Sequence, residues 1–182
     1  MPSVYPVTQL ANYSQNLGIH HLVEAQVERR PDAIAIVAPG RLPLTYGRLR
    51  AHMNDVVKTL NAMGIGRNDR IALVLSNGPE MATAFIAVAA GATSAPLNPA
   101  YRASEFDFYL SDLKAKAIMI QSGIPSPAIE VAQKRGIPLL ALSPVLEAEA
   151  GIFRLTGDER GLLEGTGSHE PLEGFAQPGD VA

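Results

Sequence analysis

Residues 70–75 read Arg-Ile-Ala-Leu-Val-Leu, and this nearly continuous apolar run constrains the fold more than any other feature. A strand without polar alternation needs cover on both faces, which helices packed on either side of a parallel sheet supply. The turn signal Asn77-Gly78-Pro79-Glu80 follows at once, offering Asn77 as N-cap, a proline in the first turn and an acid three residues after the cap. Residues 81–90 are then apolar on every side of a helical wheel, so the helix they predict belongs inside a layered protein.

The alternation extends in both directions. Residues 34–38 predict a strand, closed by Pro39-Gly40 as a turn. Thr45 is placed to cap a helix whose Leu49, Met53, Val56, Val57, Leu60 and Met63 form one apolar stripe, and Gly64 supplies its stop. Residues 93–98 predict the next strand. Ser104 with Asp107 forms a capping-box-like start for a helix carrying Phe106, Tyr109, Leu110 and Leu113 on one face. Residues 117–121 predict a strand, 127–135 a short helix ended by Gly136, and 138–142 a further strand. Strands alternating with helices of this length imply right-handed βαβ crossovers, so the fold class is α/β: a layered, largely parallel sheet with flanking helices.

Regularity fades after residue 144, where Gly and Pro cluster and eight acidic residues face only Arg154 and Arg160, a net charge of −6. Residues 1–144 are therefore expected to form the regular α/β domain, and 145–182 an acidic extended surface segment. The whole chain, at 182 residues and a formal charge of −3, carries no net basic field to attract nucleic acid or an anionic membrane. Zero Cys excludes a disulfide framework, a thiolate nucleophile and a cysteine-based metal site. Residues 81–101 lack charge, but their strongly apolar part ends near Ala92 and Pro96, Asn98 and Pro99 then break it, short of the ~20 residues of a bilayer span. The first eighteen residues have neither the charged region nor the apolar core of a secretory signal, which makes cytoplasm the expected compartment. A carboxy-terminal peroxisomal address would lie beyond residue 182.

Few residues carry catalytic chemistry. His20 and His21 are neighbours that point about 100° apart on a helix, and with His52 and His169 they form no metal-binding spacing. No G-x-S-x-G elbow occurs, and Gly64-Ile65-Gly66 closes a helix instead of opening one. Gly165-Thr166-Gly167-Ser168 could hold a phosphate on backbone N–H groups, yet no lysine or helix start follows, and a plain loop is the simpler reading. Arg102 is the best single candidate for an anion contact, because it sits just beyond a strand's carboxyl end, where open α/β sheets place ligands. The alternative is a solvated first-turn arginine. Asn98 and Tyr101 occupy the same rim, as pocket wall or as an ordinary strand-to-helix turn.

An ordered succession of short motifs adds what spacing does not. Pro31-Asp32-Ala33-Ile34-Ala35 and Leu44-Thr45-Tyr46 are followed by Gly66-Arg67-Asn68-Asp69-Arg70, Asn77-Gly78-Pro79-Glu80, Ala90-Gly91-Ala92 and Pro96-Leu97-Asn98. This series resembles the early amino-terminal region of the acyl-adenylate-forming enzymes, the AMP-dependent synthetase/ligase superfamily of acyl-CoA synthetases, luciferases and peptide-synthetase adenylation domains. The stretch 95–113 is most similar to the oxalate-CoA ligase branch. The resemblance implies the amino-terminal subdomain of an acyl-CoA synthetase, in which a carboxylate attacks the α-phosphate of ATP with Mg2+ and the acyl group then passes to coenzyme A. Its substrate would be a small carboxylic acid such as oxalate.

The signature phosphate loop of that family, T-S-G-T-T-x-x-P-K, does not occur in this sequence, nor do the aromatic adenine-site motif, the ribose-binding Asp or the carboxy-terminal lysine. Gln177-Pro178-Gly179-Asp180-Val181-Ala182 resembles the segment just before that loop. The chain is therefore expected to be a fragment that is inactive alone, binds no cofactor, and offers scaffold with one wall of a substrate cleft at Asn98, Tyr101 and Arg102. No catalytic residue carries over. A non-catalytic binding or regulatory module on the synthetase scaffold is the competing expectation. A fragment that exposes the apolar helix 81–90 is further expected to self-associate as a dimer.

Overall fold

A computed structural model describes residues 17–157 and 172–180. The chain begins with α1 (Ile19–Arg29), an antiparallel hairpin of β1 (Ile34–Ile36) and β2 (Leu44–Thr45), and α2 (Tyr46–Ala62). There follow β3 (Arg70–Val74), α3 (Pro79–Gly91), β4 (Thr93–Pro96), α4 (Ala103–Leu113), β5 (Ala117–Gln121), α5 (Pro127–Lys134), β6 (Leu139–Pro144) and β7 (Phe153–Gly157). The main sheet has the order β4-β3-β5-β6-β7; β3 to β6 run parallel and β7 antiparallel to β6. The α/β expectation holds.

Alternation of side chains along β3 divides the core. Ile71 and Leu73 point with Met119, Leu140 and Leu142 toward α2 and α3, across which α1 packs. Ala72 and Val74 point with Ile118 toward Phe106 and Leu110 of α4 and Ala128, Val131 and Ala132 of α5. The chain steps from β3 to β4 in one direction and from β4 back past β3 to β5 in the other. Right-handed crossovers then place the two connecting helices on opposite faces.

Several local expectations hold. The Thr45 hydroxyl accepts the Arg48 N–H at 3.3 Å, and Leu49, Met53, Val56, Val57 and Leu60 are buried. Gly64 and Gly136 both adopt positive φ, as helix stops do. Others shift by a residue or two. The N-cap of α3 is Gly78, not Asn77. The start of α4 uses Arg102, whose backbone N–H is accepted by Glu105 at 2.9 Å, not the Ser104 and Asp107 pair. The predicted strand 34–38 is shorter and leaves the main sheet to pair with β2, because Gly40 at φ 70° turns the chain back on itself.

The larger correction concerns residues 145–157, which are not an extended surface segment. Phe153–Gly157 completes the sheet along β6, and Ala150 and Phe153 are buried. Arg41 secures the approach to that strand: its guanidinium donates to Glu80 at 3.0 Å and to the carbonyls of Val145 and Glu149 at 3.0 and 3.2 Å. Residues 172–180 form a strap across the amino-terminal end of the sheet. Ala176 N donates to Ala90 O at 2.7 Å, Gly174 N to Asn61 at 2.8 Å and Arg67 N to Leu172 O at 2.9 Å.

Three of the histidines are structural. His21 Nδ1 accepts the Gly18 N–H at 3.0 Å and closes the start of α1. The His20 ring stacks on Phe175 at 4.6 Å, and His52 meets Phe153 edge-on at 4.4 Å. Burial lowers the pKa of both His20 and His52, and the charges of His21 and Arg48 respectively add to the effect. The unfolded chain then binds more protons than the fold as pH falls below the ordinary value of about 6.5. Stability is therefore expected to decline as pH falls below about 6.5, read as a falling urea midpoint; a midpoint that stays flat there would mean that both rings stay open to water. His169 and residues 165–168 lie outside the described residues.

Candidate functional site

The carboxyl ends of β3 and β4 form an open depression of about 590 Å3 lined by Leu75, Ser76, Asn77, Met81, Pro96, Leu97, Asn98 and Pro99. Its floor continues the sheet, since Leu97 N donates to Leu73 O at 2.9 Å. Three helices, α3, α4 and α5, begin along this same edge, so their free N–H groups give it a partial positive character. That follows from the parallel strands β3, β4 and β5, each of which runs into its helix at this end.

Asn98 is the predicted residue that the structure places in the depression. Its side-chain oxygen accepts Ala100 N at 3.0 Å in an Asx turn, and its backbone carbonyl accepts Tyr101 N at 3.1 Å. Tyr101 is half-buried and turned toward α4. Its ring stacks on Tyr109 at 5.1 Å and meets Phe106 edge-on at 5.8 Å. A hydrogen bond with Tyr109 raises the Tyr101 phenol above its usual pKa. Arg102 is exposed, and its guanidinium makes no ion pair among the described residues. Neither Tyr101 nor Arg102 lines the depression, so the three predicted residues share a rim without converging on one point.

Sequence reading missed Ser76, Asn77 and Met81 as lining residues. The signal for them was present: they follow directly on the apolar run of β3, at the end of the strand where ligands gather. The lining offers hydroxyl and amide groups with no cation, and no three His, Asp or Glu side chains among the described residues could hold a metal. These residues alone do not fit a triphosphate with its magnesium, which needs several positive donors. Chemically the depression is a mixed surface, in which the apolar side chains of Leu75, Met81 and Leu97 alternate with the polar groups of Ser76, Asn77 and Asn98. Two further concavities lie elsewhere, one of about 610 Å3 between α1 and the hairpin and one of about 550 Å3 between α2 and β7.

The sequence model of the family described as AMP-binding enzyme matches residues 23–172. The chain belongs to that family. Among its relatives, oxalate–CoA ligase of Arabidopsis thaliana is 38% identical over 115 residues, which are 62% of this chain and 22% of the ligase. A linear gramicidin synthase of Brevibacillus parabrevis is 31% identical over 145 residues, 77% of this chain and 2% of that protein. The crystal structure of ATP-bound MatB from Rhodopseudomonas palustris superposes with a TM-score of 0.63 at 20% identity, covering 86% of this chain and 30% of MatB. The AMP-binding fold is therefore shared, and the chain spans under a quarter of either curated relative. No helix among the described residues is long and apolar enough to cross a membrane.

Proposed function

We propose that this chain is the amino-terminal part of an ATP-dependent acyl-CoA synthetase, which joins a carboxylic acid to coenzyme A with release of AMP and pyrophosphate. The observation that carries the reading is the 38% identity to an oxalate–CoA ligase within a family match over residues 23–172. Oxalate is the favoured acid. This chain contributes the β3/β4 wall with Asn98 at its lip, while ATP, Mg2+ and coenzyme A are gathered by residues outside it. The reading implies a cytoplasmic or peroxisomal enzyme.

A second reading, an adenylation domain of a peptide synthetase, draws on the gramicidin synthase relative, which matches a larger share of the chain at lower identity. Assays on the protein encoded by the complete gene separate the two. ATP–pyrophosphate exchange and CoA-thioester formation are measured with oxalate, malonate, acetate, a medium-chain fatty acid and a panel of amino acids. Oxalate-dependent thioester formation is the expected outcome; exchange driven by an amino acid, without a CoA thioester, would overturn it in favour of the second reading.

The chain of residues 1–182 alone is expected to release no pyrophosphate from ATP, and calorimetry should find no binding tighter than ~1 mM. Its surface also carries an apolar stretch on α3, where Ala82 and Phe85 are exposed beside the half-buried Met81 and Ile86. We expect that face to drive dimerisation of the isolated chain. Light scattering that shows a monomer at high micromolar concentration would count against it.

A further inference from the structure

The strap 172–180 buries little apolar surface of its own, since Ala176 is its one buried residue and Phe175 is half-buried. It is nonetheless tied down by polar contacts at both ends. Gly66 lets the strap approach, because a Cβ at that position would stand 2.4 Å from Leu172 O. At the far end the Asp180 carboxylate accepts from Arg67 Nε at 2.6 Å, Arg67 Nη2 at 3.1 Å, Asn68 Nδ2 at 3.1 Å and Gln177 N at 2.6 Å. The Asp180 side chain is 7% exposed and that of Arg67 24%. These donors hold its carboxyl down to about 2, Arg67 contributing most.

A two-pronged guanidinium–carboxylate pair specifies direction as well as distance. A segment with so little buried apolar area gains modest stability from such a tie, so its main effect is geometric. We propose that Arg67 is a positioning residue: by gripping Asp180 it fixes where the strap lies and the direction in which the chain leaves the amino-terminal edge of the sheet. Under the acyl-CoA synthetase reading, on which this last step rests, the clamp thereby sets the phosphate-gripping loop that follows in the sequence of the whole enzyme. Arg67 touches no substrate in this role and acts through Asp180 alone.

Two arms test it separately. In the chain of residues 1–182, hydrogen exchange is followed at the amides of Gly174, Ala176 and Gln177, with those of β3 and β5 as reference. Arg67→Ala and Asp180→Asn should each speed exchange in the strap at least tenfold and leave the strands protected. The exchanged pair, Arg67→Asp with Asp180→Arg, should restore part of the protection. Unchanged strap exchange in Arg67→Ala, or equal loss throughout the sheet, would overturn the clamp. In the complete enzyme, Arg67→Ala should raise KM for ATP about tenfold with KM for the acid unchanged, and Arg67→Lys should recover part of the loss. Unaltered ATP kinetics would overturn the link to the loop. An unmutated enzyme without ATP–pyrophosphate exchange would overturn the synthetase reading, and the first arm would still decide the clamp.

Discussion

Replacing Phe106 by alanine is expected to lower the unfolding free energy by about 3–5 kcal/mol, at the upper end for a buried truncation. Phe106 is fully buried, and its cluster beneath α4 and α5 contains Ala72, Ala128 and Ala132. Such small neighbours have no side chain with which to fill the vacated volume, so the cavity persists and its lining loses contacts. The ring also supports Tyr101 edge-on, so the loss reaches the rim of the depression. For a domain of this size the change corresponds to a fall in Tm of about 10 °C. Scanning calorimetry checks it, with Phe108→Ala as the comparison, since Phe108 is 63% exposed and should shift stability by no more than about 0.5 kcal/mol. Similar small shifts from both variants would mean that α4 does not pack as described.

Gly151→Ala is the second substitution with a large expected effect, for two compounding reasons. The residue sits at φ +90°, a conformation that L side chains rarely adopt, and an added Cβ would stand 2.6 Å from Thr83 Cγ2 and 2.9 Å from Pro79 O. Thr83 is fully buried, and its hydroxyl donates to Gly151 O at 2.6 Å, so the clash falls on the bond that holds this turn against α3. Strain and displacement together should cost about 3 kcal/mol. Thr83→Ser removes the clashing methyl and keeps the hydroxyl. The double variant should therefore be less destabilised than the sum of the singles, by roughly 0.5–1 kcal/mol in a double-mutant cycle. Strict additivity from urea titrations would argue that Gly151 and Thr83 do not meet.

Features set by neighbours in sequence were legible before the fold was known. The stripe of α2 repeats at helical spacing, and the unbroken apolar run of β3 demanded two covered faces; both are found. Features set by distant partners were not. The strand β7 reads Phe-Arg-Leu-Thr-Gly inside an acidic stretch, and its burial alternates only because β6 fixes its register. Arg41 and Arg67 look like ordinary surface cations until Glu80, Val145 and Asp180 arrive from 39, 104 and 113 residues away. The rim was legible in position, through Asn98, but not in composition. Whether Tyr101 faced the depression or α4 depended on Tyr109, eight residues further along, with which it stacks.

The antiparallel direction of β7 carries a consequence for architecture. Four parallel strands end at the edge that bears the depression, and the reversed fifth returns the chain to the opposite edge, where the strap docks. The start of α1 lies there too: His20 stacks on Phe175, and a Cβ on Gly18 would stand 3.0 Å from Ala176 O. Among the described residues, the start of α1 and the strap thus adjoin on one edge, while the other carries the turns that lead from β3, β4 and β5 into their helices. A single short tether between the start of α1 and the strap would therefore join the two ends of the described fold on one edge, without crossing the lip at Asn98.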